Sequence, residues 1–447
     1  MGNEFWNRIE YGKEAAATHG TPVAATKYWI GQMPAIKTDR RPTYPKEHFG
    51  VRADAFRGVI HQYLYENTLQ TEHGAFQHLP LIGGCGVKGN VTAVEQTGGQ
   101  GDYLWDLTPN LLGANNPDSF TTRFGDNVQA YIAEYCMVQR IRLSGQVAQG
   151  MDASPVNIEA EFFGRQIQAS TFTSQLETAT IVGTITQSGN ATVTITAAGM
   201  NNSPKAISVA VLDEDTAAEV ATKIRTALNA DTDVTVLFTV GGTGADVTLT
   251  KKGPGATDAT LNIAYTNGTC LGLTPDATST DTSGNIALPT LEPMNAKLAR
   301  LYLDTSWATV GNTELANLLR TFDIEILTGV HPNFAGSASR TFNAHGEGVI
   351  AVMGTFGIEA GADAASIFSQ QQDGDFVVAR LAINGSQIGS GDSHSCILDF
   401  SGSFEDASPI SGADRGDNLA TMVLHNYYDK TAEKLLQWNV TTDINAY

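Results

Sequence analysis

Two stretches of this chain carry the same alternation of apolar and polar positions. Met137 to Gln168 reads MVQRIRLSGQVAQGMDASPVNIEAEFFGRQIQ, and Cys396 to Tyr428 reads CILDFSGSFEDASPISGADRGDNLATMVLHNYY. In each, a short alternating run reaches Ser-Gly (Leu143-Ser144-Gly145; Phe400-Ser401-Gly402). A polar connection with Ala-Ser-Pro follows (Ala153 to Pro155; Ala407 to Pro409), and a second alternating run closes the unit. In the first unit Val156, Ile158, Ala160 and Phe162 point one way while Asn157, Glu159 and Glu161 point the other, the period of two of a half-buried strand. Each unit thus predicts strand, connection, strand. Their placement near the end of each half predicts an internal duplication.

Around them the pattern divides the chain. Residues 1–24 read as an N-terminal arm, with Phe5, Trp6, Ile9 and Tyr11 as its apolar positions and a small-residue tract behind them. Strand-like runs follow at Lys27 to Ile36, Val59 to Leu69, Asn90 to Glu95, Asp102 to Leu112 and Phe120 to Tyr135. Between the first two lies a basic, proline-containing loop of a length that usually serves a partner. From about Thr178 to Ala287 aromatics nearly vanish and Thr, Ala and Gly dominate. Within that region Thr216 and Glu219 form a capping box ahead of Val220, Ile224, Ala227 and Leu228 at helical spacing. Alternating runs on both sides, the last three at Val234 to Val240, Asp246 to Lys251 and Ala259 to Tyr265, predict a small α+β insert closed by a Ser/Thr/Gly linker. After it come LARLYLDTSW, a helical segment at Asn312 to Arg320, strands at Thr321 to Thr328 and Gly348 to Ile358, a short helix near Ala362 to Gln371, and strands at Asp375 to Asn384 and Leu435 to Ile444. The predicted fold is mainly β with some α.

A chain of 447 residues exceeds one ordinary core and predicts two or three domains. Its formal net charge of −20, with no long run of Lys and Arg, argues against nucleic-acid binding and leaves repulsion of DNA open. Cys85, Cys136, Cys270 and Cys396 lie far apart without a C-x-x-C pair and read as core residues. The N-terminus has no apolar signal core, and no apolar run nears the about 18 residues of a membrane span, so a soluble protein made in a cytoplasm is expected.

Candidate chemistry is thin. Gly84, Gly86 and Gly89 satisfy G-x-G-x-x-G, but a strand rather than a helix is predicted after them, so they read as turn glycines. His61, His73 and His78 lack the i, i+4 spacing of a helical zinc site. Acidic pairs such as Asp213 with Asp215 and Glu405 with Asp406 read as solvated turns. No catalytic residue, cofactor site or metal site is expected.

The run GTPVAATKYWIGQMPAIK through YCMVQRIRLSGQVAQGMDASPVNIEAEFFGRQ resembles the tube domain of siphophage major tail tube proteins. TFDIEILTGVHPNF, HGEGVIAVMGTFGIEAG and SCILDFSGSF resemble the second half of its tandem-duplicated members, and the insert is similar to an accessory domain of phage virion proteins. The resemblance implies two β-sandwich or barrel tube domains, residues 25–175 and 290–447, around an inserted domain at 176–289 that projects from the tube. It implies a β-lined ring built by a trimer as a pseudo-hexamer, stacked into a tube in the virion. The tube would contact tape measure, terminator and distal tail proteins, and DNA would pass without specific binding. Arg40, Arg41, Lys46 and Arg52 of the long loop would reach another ring, and Glu159, Glu161 and Asp399 would face the channel. A distal tail or baseplate hub component and an extracellular adhesive or carbohydrate-binding β-protein are the alternatives.

Overall fold

A computed structural model of the chain describes residues 7–16, 18–34, 40, 42–47, 50–51, 53–126, 128–148, 152–172, 174–252, 257–281, 286–414 and 416–447. Strand occupies 48% of it and helix 11%, a mainly β protein with a few short helices. The first strands are β1 (Arg8–Lys13), β2 (Lys27–Trp29), β3 (Pro42–Thr43), β4 (Val59–Ile60) and β5 (Tyr65–Thr71). Then come helix α1 (Leu79–Gly84), β6 (Val94–Glu95), β7 (Tyr103–Asp106), β8 (Phe120–Gly125), β9 (Ala130–Gln146), β10 (Val156–Gly164) and β11 (Gln168–Ser170).

Two expectations fail here. The N-terminal arm contains β1, a strand held between β2 and β8, with Ile9 and Tyr11 in the core. Its anchor is Glu14, whose buried carboxylate accepts from the Gly20 and Tyr135 amides and the Ser119 and Thr121 hydroxyls at 2.6–2.8 Å. Phe5 and Trp6 lie outside the described residues. The run Val59 to Leu69 breaks into β4 and β5, because the Tyr63 amide leaves the strand to donate to the Arg340 carbonyl.

The insert, Thr171–Pro289, clusters as a compact unit together with the short turn Asp126–Ala130. It comprises β12 (Leu176–Thr180), β13 (Gly183–Gln187), β14 (Gly189–Thr196), β15 (Lys205–Val211), α2 (Ala217–Ala230), α3 (Thr232–Leu237), β16 (Phe238–Gly241), β17 (Asp246–Lys251), β18 (Asn262–Thr266), β19 (Leu271–Leu273) and β20 (Thr280–Asp281). Val193, Ile195, Ile224, Leu228, Leu249 and Ile263 share its separate core. The capping box forms: Glu219 donates its amide to the Thr216 hydroxyl, and its carboxylate accepts from the Thr216 amide. Val234 to Leu237, expected as strand, is helical because the Asp231 carboxylate caps the Asp233 and Val234 amides.

The second half holds β21 (Ala299–Asp304), β22 (Leu319–Leu327), β23 (Val330–Asn333), β24 (Ala344–Glu347), β25 (Ala351–Glu359), α4 (Ala362–Asp373), β26 (Val377–Gln387), β27 (Ser393–Asp414), β28 (Asp417–Asn426) and β29 (Leu436–Thr442). The helix expected at Asn312 to Arg320 is a loop that folds back on β21 as far as Leu318, and Leu319 and Arg320 already belong to β22. The Asp304 carboxylate accepts from the Gly311 and Thr313 amides, and Leu315 donates to the Leu301 carbonyl.

The pairings carry a duplication. β1 pairs β8, β8 pairs β9, and β9 pairs β10 and β11, while β10 pairs β5. In the second half β21 pairs β26, β26 pairs β27, and β27 pairs β28 and β29, while β28 pairs β25. Both long strands slip register at the same point. The β9·β10 ladder shifts between Val138↔Phe162 and Arg140↔Glu161, and the β27·β28 ladder shifts between Phe404↔Leu424 and Asp406↔Val423.

That match moves the register read from the sequence. Phe400-Ser401-Gly402 sits mid-strand in β27, and Ala407 to Pro409, expected as a connection, is also inside it. Pro409 is accommodated at a second register shift, between Ser408 and Gly412, where a missing N–H leaves no ladder gap. The two halves, expected as separate domains, form one compact unit. β9 of the first half pairs β22 of the second, and Ile141 and Ile158 share a core with Ile324, Phe356 and Leu424.

Candidate assembly surface

One antiparallel sheet crosses the duplication in the order β5, β10, β9, β22, β25, β28, β27. Alternation gives it two faces. Ile141, Leu143, Ile158, Ala160, Ile324, Ile326, Phe356 and Leu424 point into the core. Gly145 lets the junction close, since a Cβ there would stand 2.6 Å from the ring of its cross-strand partner Phe322.

The opposite face is polar and carries a ladder of charge over β10, β9 and β22. Arg140 pairs with Glu161 on one side and Glu325 on the other, the latter at 3.0 Å. Arg142 reaches Asp323 at 2.6 Å and Glu159 at 3.6 Å. The Asp323 hydrogen bond, against some burial, holds the Arg142 guanidinium above its ordinary pKa. For Arg140, burial pulls down and the Glu325 and Glu161 carboxylates outweigh it. Each guanidinium is therefore occupied by two carboxylates from flanking strands. Asp406, the β27 counterpart of Arg140, lies exposed on the same face beside Val423.

Glu159 and Glu161 thus share this polar face, but Asp399 does not. Its side chain is 1% exposed, in the part of β27 between β26 and β29, and it accepts from Arg380 Nε and Nη2 at 2.7 and 2.8 Å. It is a buried structural anion, and the wall position expected for it is corrected. Alternation in FDIEI marks Asp323 and Glu325 as polar-face residues, a signal left unused. Arg40 and Lys46 are exposed on the loop, whereas Arg41 and Arg52 lie outside the described residues.

The remaining candidates resolve into packing. A Cβ on Gly84 would meet the Tyr447 hydroxyl at 1.9 Å and one on Gly89 the Asn116 carbonyl at 1.9 Å, so these glycines allow close approach of buried chain. His78 is buried and stacks on Trp29 at 4.2 Å, and desolvation lowers its pKa to about 4. His61 hydrogen-bonds Thr43, and His73 is exposed. All four cysteines are buried free thiols. Among the described residues no cluster of His, Cys, Asp and Glu could hold a metal, and no helix is long and apolar enough to cross a membrane.

The sheet has two incompletely paired edges. Among the described residues, β27 from Phe404 to Asp414 pairs only with β28. β5 pairs only with β10, apart from one bridge between Gln32 and Gln70. Comparison of the chain with models of known protein families gives no match, and comparison with curated proteins gives no relative.

Proposed function

We propose that this protein is a structural subunit of the tail tube of a long-tailed bacteriophage, polymerising as stacked rings around a channel through which DNA passes. The observation that carries this is the β9·β22 junction, where two duplicated units join edge to edge in one sheet. The duplication relates the open edges to the same junction. β9 corresponds to β27, and β22, which lies beside β25, corresponds to the segment around Gln32, which lies beside β5. Pairing β27 of one copy with residues 30–34 of the next repeats the internal junction between chains. A head-to-tail contact of this kind generates a ring when its rotation closes.

The ring has three chains and six units, and its acidic wall includes Glu159, Glu161, Asp323, Glu325 and Asp406. Arg140 and Arg142 on that wall are occupied by carboxylates, so neither offers phosphates a free guanidinium. In the virion the partners are further rings, the tape measure protein within, and the terminator and distal tail proteins at the tube ends. Negative-stain electron microscopy with sedimentation across concentration tests this. Rings or tubes of three chains with a central channel are expected. Six chains per ring would keep the function and remove the pseudo-hexamer. A protein that stays monomeric at every concentration and salt would sink the tube and favour a hub or adhesive role.

A further inference from the structure

In the first half, the end of the shared sheet where β5 starts and β10 ends is covered by the chain's own hairpin β23–β24. Phe342 is fully buried there, its ring centre 4.9 Å from that of Tyr135 and 5.4 Å from that of Phe163, and Leu64, Met137 and Val330 complete the cluster. In the second half the equivalent end, where β25 starts and β28 ends, is an open groove of about 920 Å³. Leu112, Val349, Ile350, Tyr427, Tyr428 and Leu435 line it, with Leu112 81% and Val349 86% exposed.

The two places are equivalent ends of the sheet: the ladders put Ala351, next to Ile350, where Leu64 stands, and His425 where Phe163 stands. The Tyr427 amide donates to the Ser401 carbonyl just past β28, as the Arg165 amide donates to Glu134 just past β10. The hairpin that fills the first place lies between β22 and β25. Its counterpart between Gln32 and β5 is the β3–β4 arm, where Tyr44 and Val51 stand 64% and 68% exposed.

We propose that the β3–β4 arm of one copy packs into the groove at the end of β25 and β28 of the next copy in the same ring. Tyr44 and Val51 take there the part that Phe342 and Val330 play in the first half. This rests on the tube reading, because pairing β27 with residues 30–34 of the next copy brings arm and groove to the same end of the joined sheet. Within one chain they belong to different edges: β10, β9 and β22 separate β5 from β25, about 20 Å at the usual strand spacing. Charge agrees with the fit. Besides Asp54 and an Arg57–Glu47 pair at 2.8 Å, the arm carries Arg40 and Lys46, while the described groove lining has the Glu347 carboxylate, which accepts from the Asn115 and Asn116 amides, and no Lys or Arg.

The test uses two full-length variants. Tyr44→Asp with Val51→Asp disables the arm, and Leu112→Asp with Val349→Asp disables the groove. All four side chains are exposed, so tryptophan-monitored unfolding is expected to match the parent. Each variant alone should need at least about 30-fold more protein to assemble in sedimentation, the loss of one interface hot spot. An equimolar mixture should give a one-to-one heterodimer, because one intact arm and one intact groove remain. Either variant assembling like the parent overturns the proposal, as does a mixture of folded variants that stays monomeric. A third variant, Tyr44→Cys with Val349→Cys, should crosslink on oxidation into species no larger than one ring. An open-ended ladder would place the arm between rings, and parent rings with no crosslink would overturn the groove. A parent that never assembles removes the tube reading itself, a result distinct from all of these.

Discussion

Truncating Phe342 to alanine should loosen the first half in a measurable and local way. The phenyl ring is fully buried and meets Tyr135, Phe163 and Phe334 with ring centres 4.9, 5.4 and 6.2 Å away. A core Phe→Ala change costs about 3–5 kcal/mol. The loop between β23 and β24 is largely exposed and lets the hairpin settle toward the gap, which sets the expectation near the lower bound, about 3 kcal/mol. Tryptophan fluorescence during urea unfolding reads this cleanly, since the insert contains no tryptophan while Trp29, Trp105 and Trp438 are buried in the body. Hydrogen exchange should quicken at the Val330 amide, in the hairpin's first strand, and at the Tyr63 amide, which donates to the Arg340 carbonyl of the hairpin loop. A stability change below about 1 kcal/mol with unchanged exchange there would refute the account of the hairpin as a plug, and with it the template for the intermolecular arm.

Asp399→Ala should cost about 2–3 kcal/mol, below the 3–5 of a fully buried pair because Arg380 keeps some contact with water, whereas Glu159→Ala should cost under about 1 kcal/mol. Equal losses in urea unfolding would contradict the different burial of the two carboxylates. Burial, opposed by Arg8, Arg123 and Tyr28, raises Glu10 from 4.5 to about 7. Between those values the native state holds a proton the unfolded chain has lost, so this group's contribution falls as pH rises through the window and is level above it. Glu10→Gln should therefore stabilise by on the order of 2 kcal/mol at pH 8 and change little at pH 4; the opposite order of the two unfolding midpoints would refute the shift. Replacing Glu159, Glu161, Asp323 and Glu325 together by their amides frees Arg140 and Arg142. Gel shifts should then detect salt-sensitive DNA retention that the parent lacks, and no gain in retention would remove the account of masked guanidiniums.

Period-two alternation placed most of the strands and one face of the shared sheet, because a half-buried strand writes its burial into neighbouring residues. The capping box and helical spacing located the capped helix of the insert, because Thr216 and Glu219 act over three residues. What alternation misplaced depends on contacts remote in sequence. β1 reads as a loose arm because Glu10 and Glu14 look solvated until Arg123, Ser119 and Thr121 are brought beside them. Asp399 resembles Glu159 in its local pattern, and only the crossing of β26 supplies Arg380. The Ser-Gly and Ala-Ser-Pro matches between the halves are chance similarities of composition, since the structural correspondence follows the register shifts near Val138 and Phe404. The groove at Val349 and Tyr427 is legible only once β25, β28 and the loop at Leu112 converge.

The charges on the shared sheet bear on how one chain would distinguish its internal junction from the proposed one to the next copy. At β9·β22, Arg140 and Arg142 meet Asp323 and Glu325. The β27 counterparts are Asp406 and Ser408, and the counterpart of β22 is residues 30–34, Ile-Gly-Gln-Met-Pro, which offer no carboxylate. By the same registers Gln32 stands where Thr321 does, and Thr321 faces Gln146, whose β27 counterpart is Asp414, so Gln32 keeps two carboxylates from facing each other across the joint. Gln32→Glu should therefore raise the concentration needed for assembly by several-fold at low salt and less at high salt, as screening predicts. Part of that rise comes from Glu72, whose carboxylate accepts from the Gln32 amide at 2.7 Å and would repel the new charge in the monomer. The double variant Gln32→Glu with Asp414→Arg separates the two causes. It should recover assembly while leaving the monomer's repulsion in place, and a double variant no better than Gln32→Glu alone would mean that β27 and residues 30–34 do not meet.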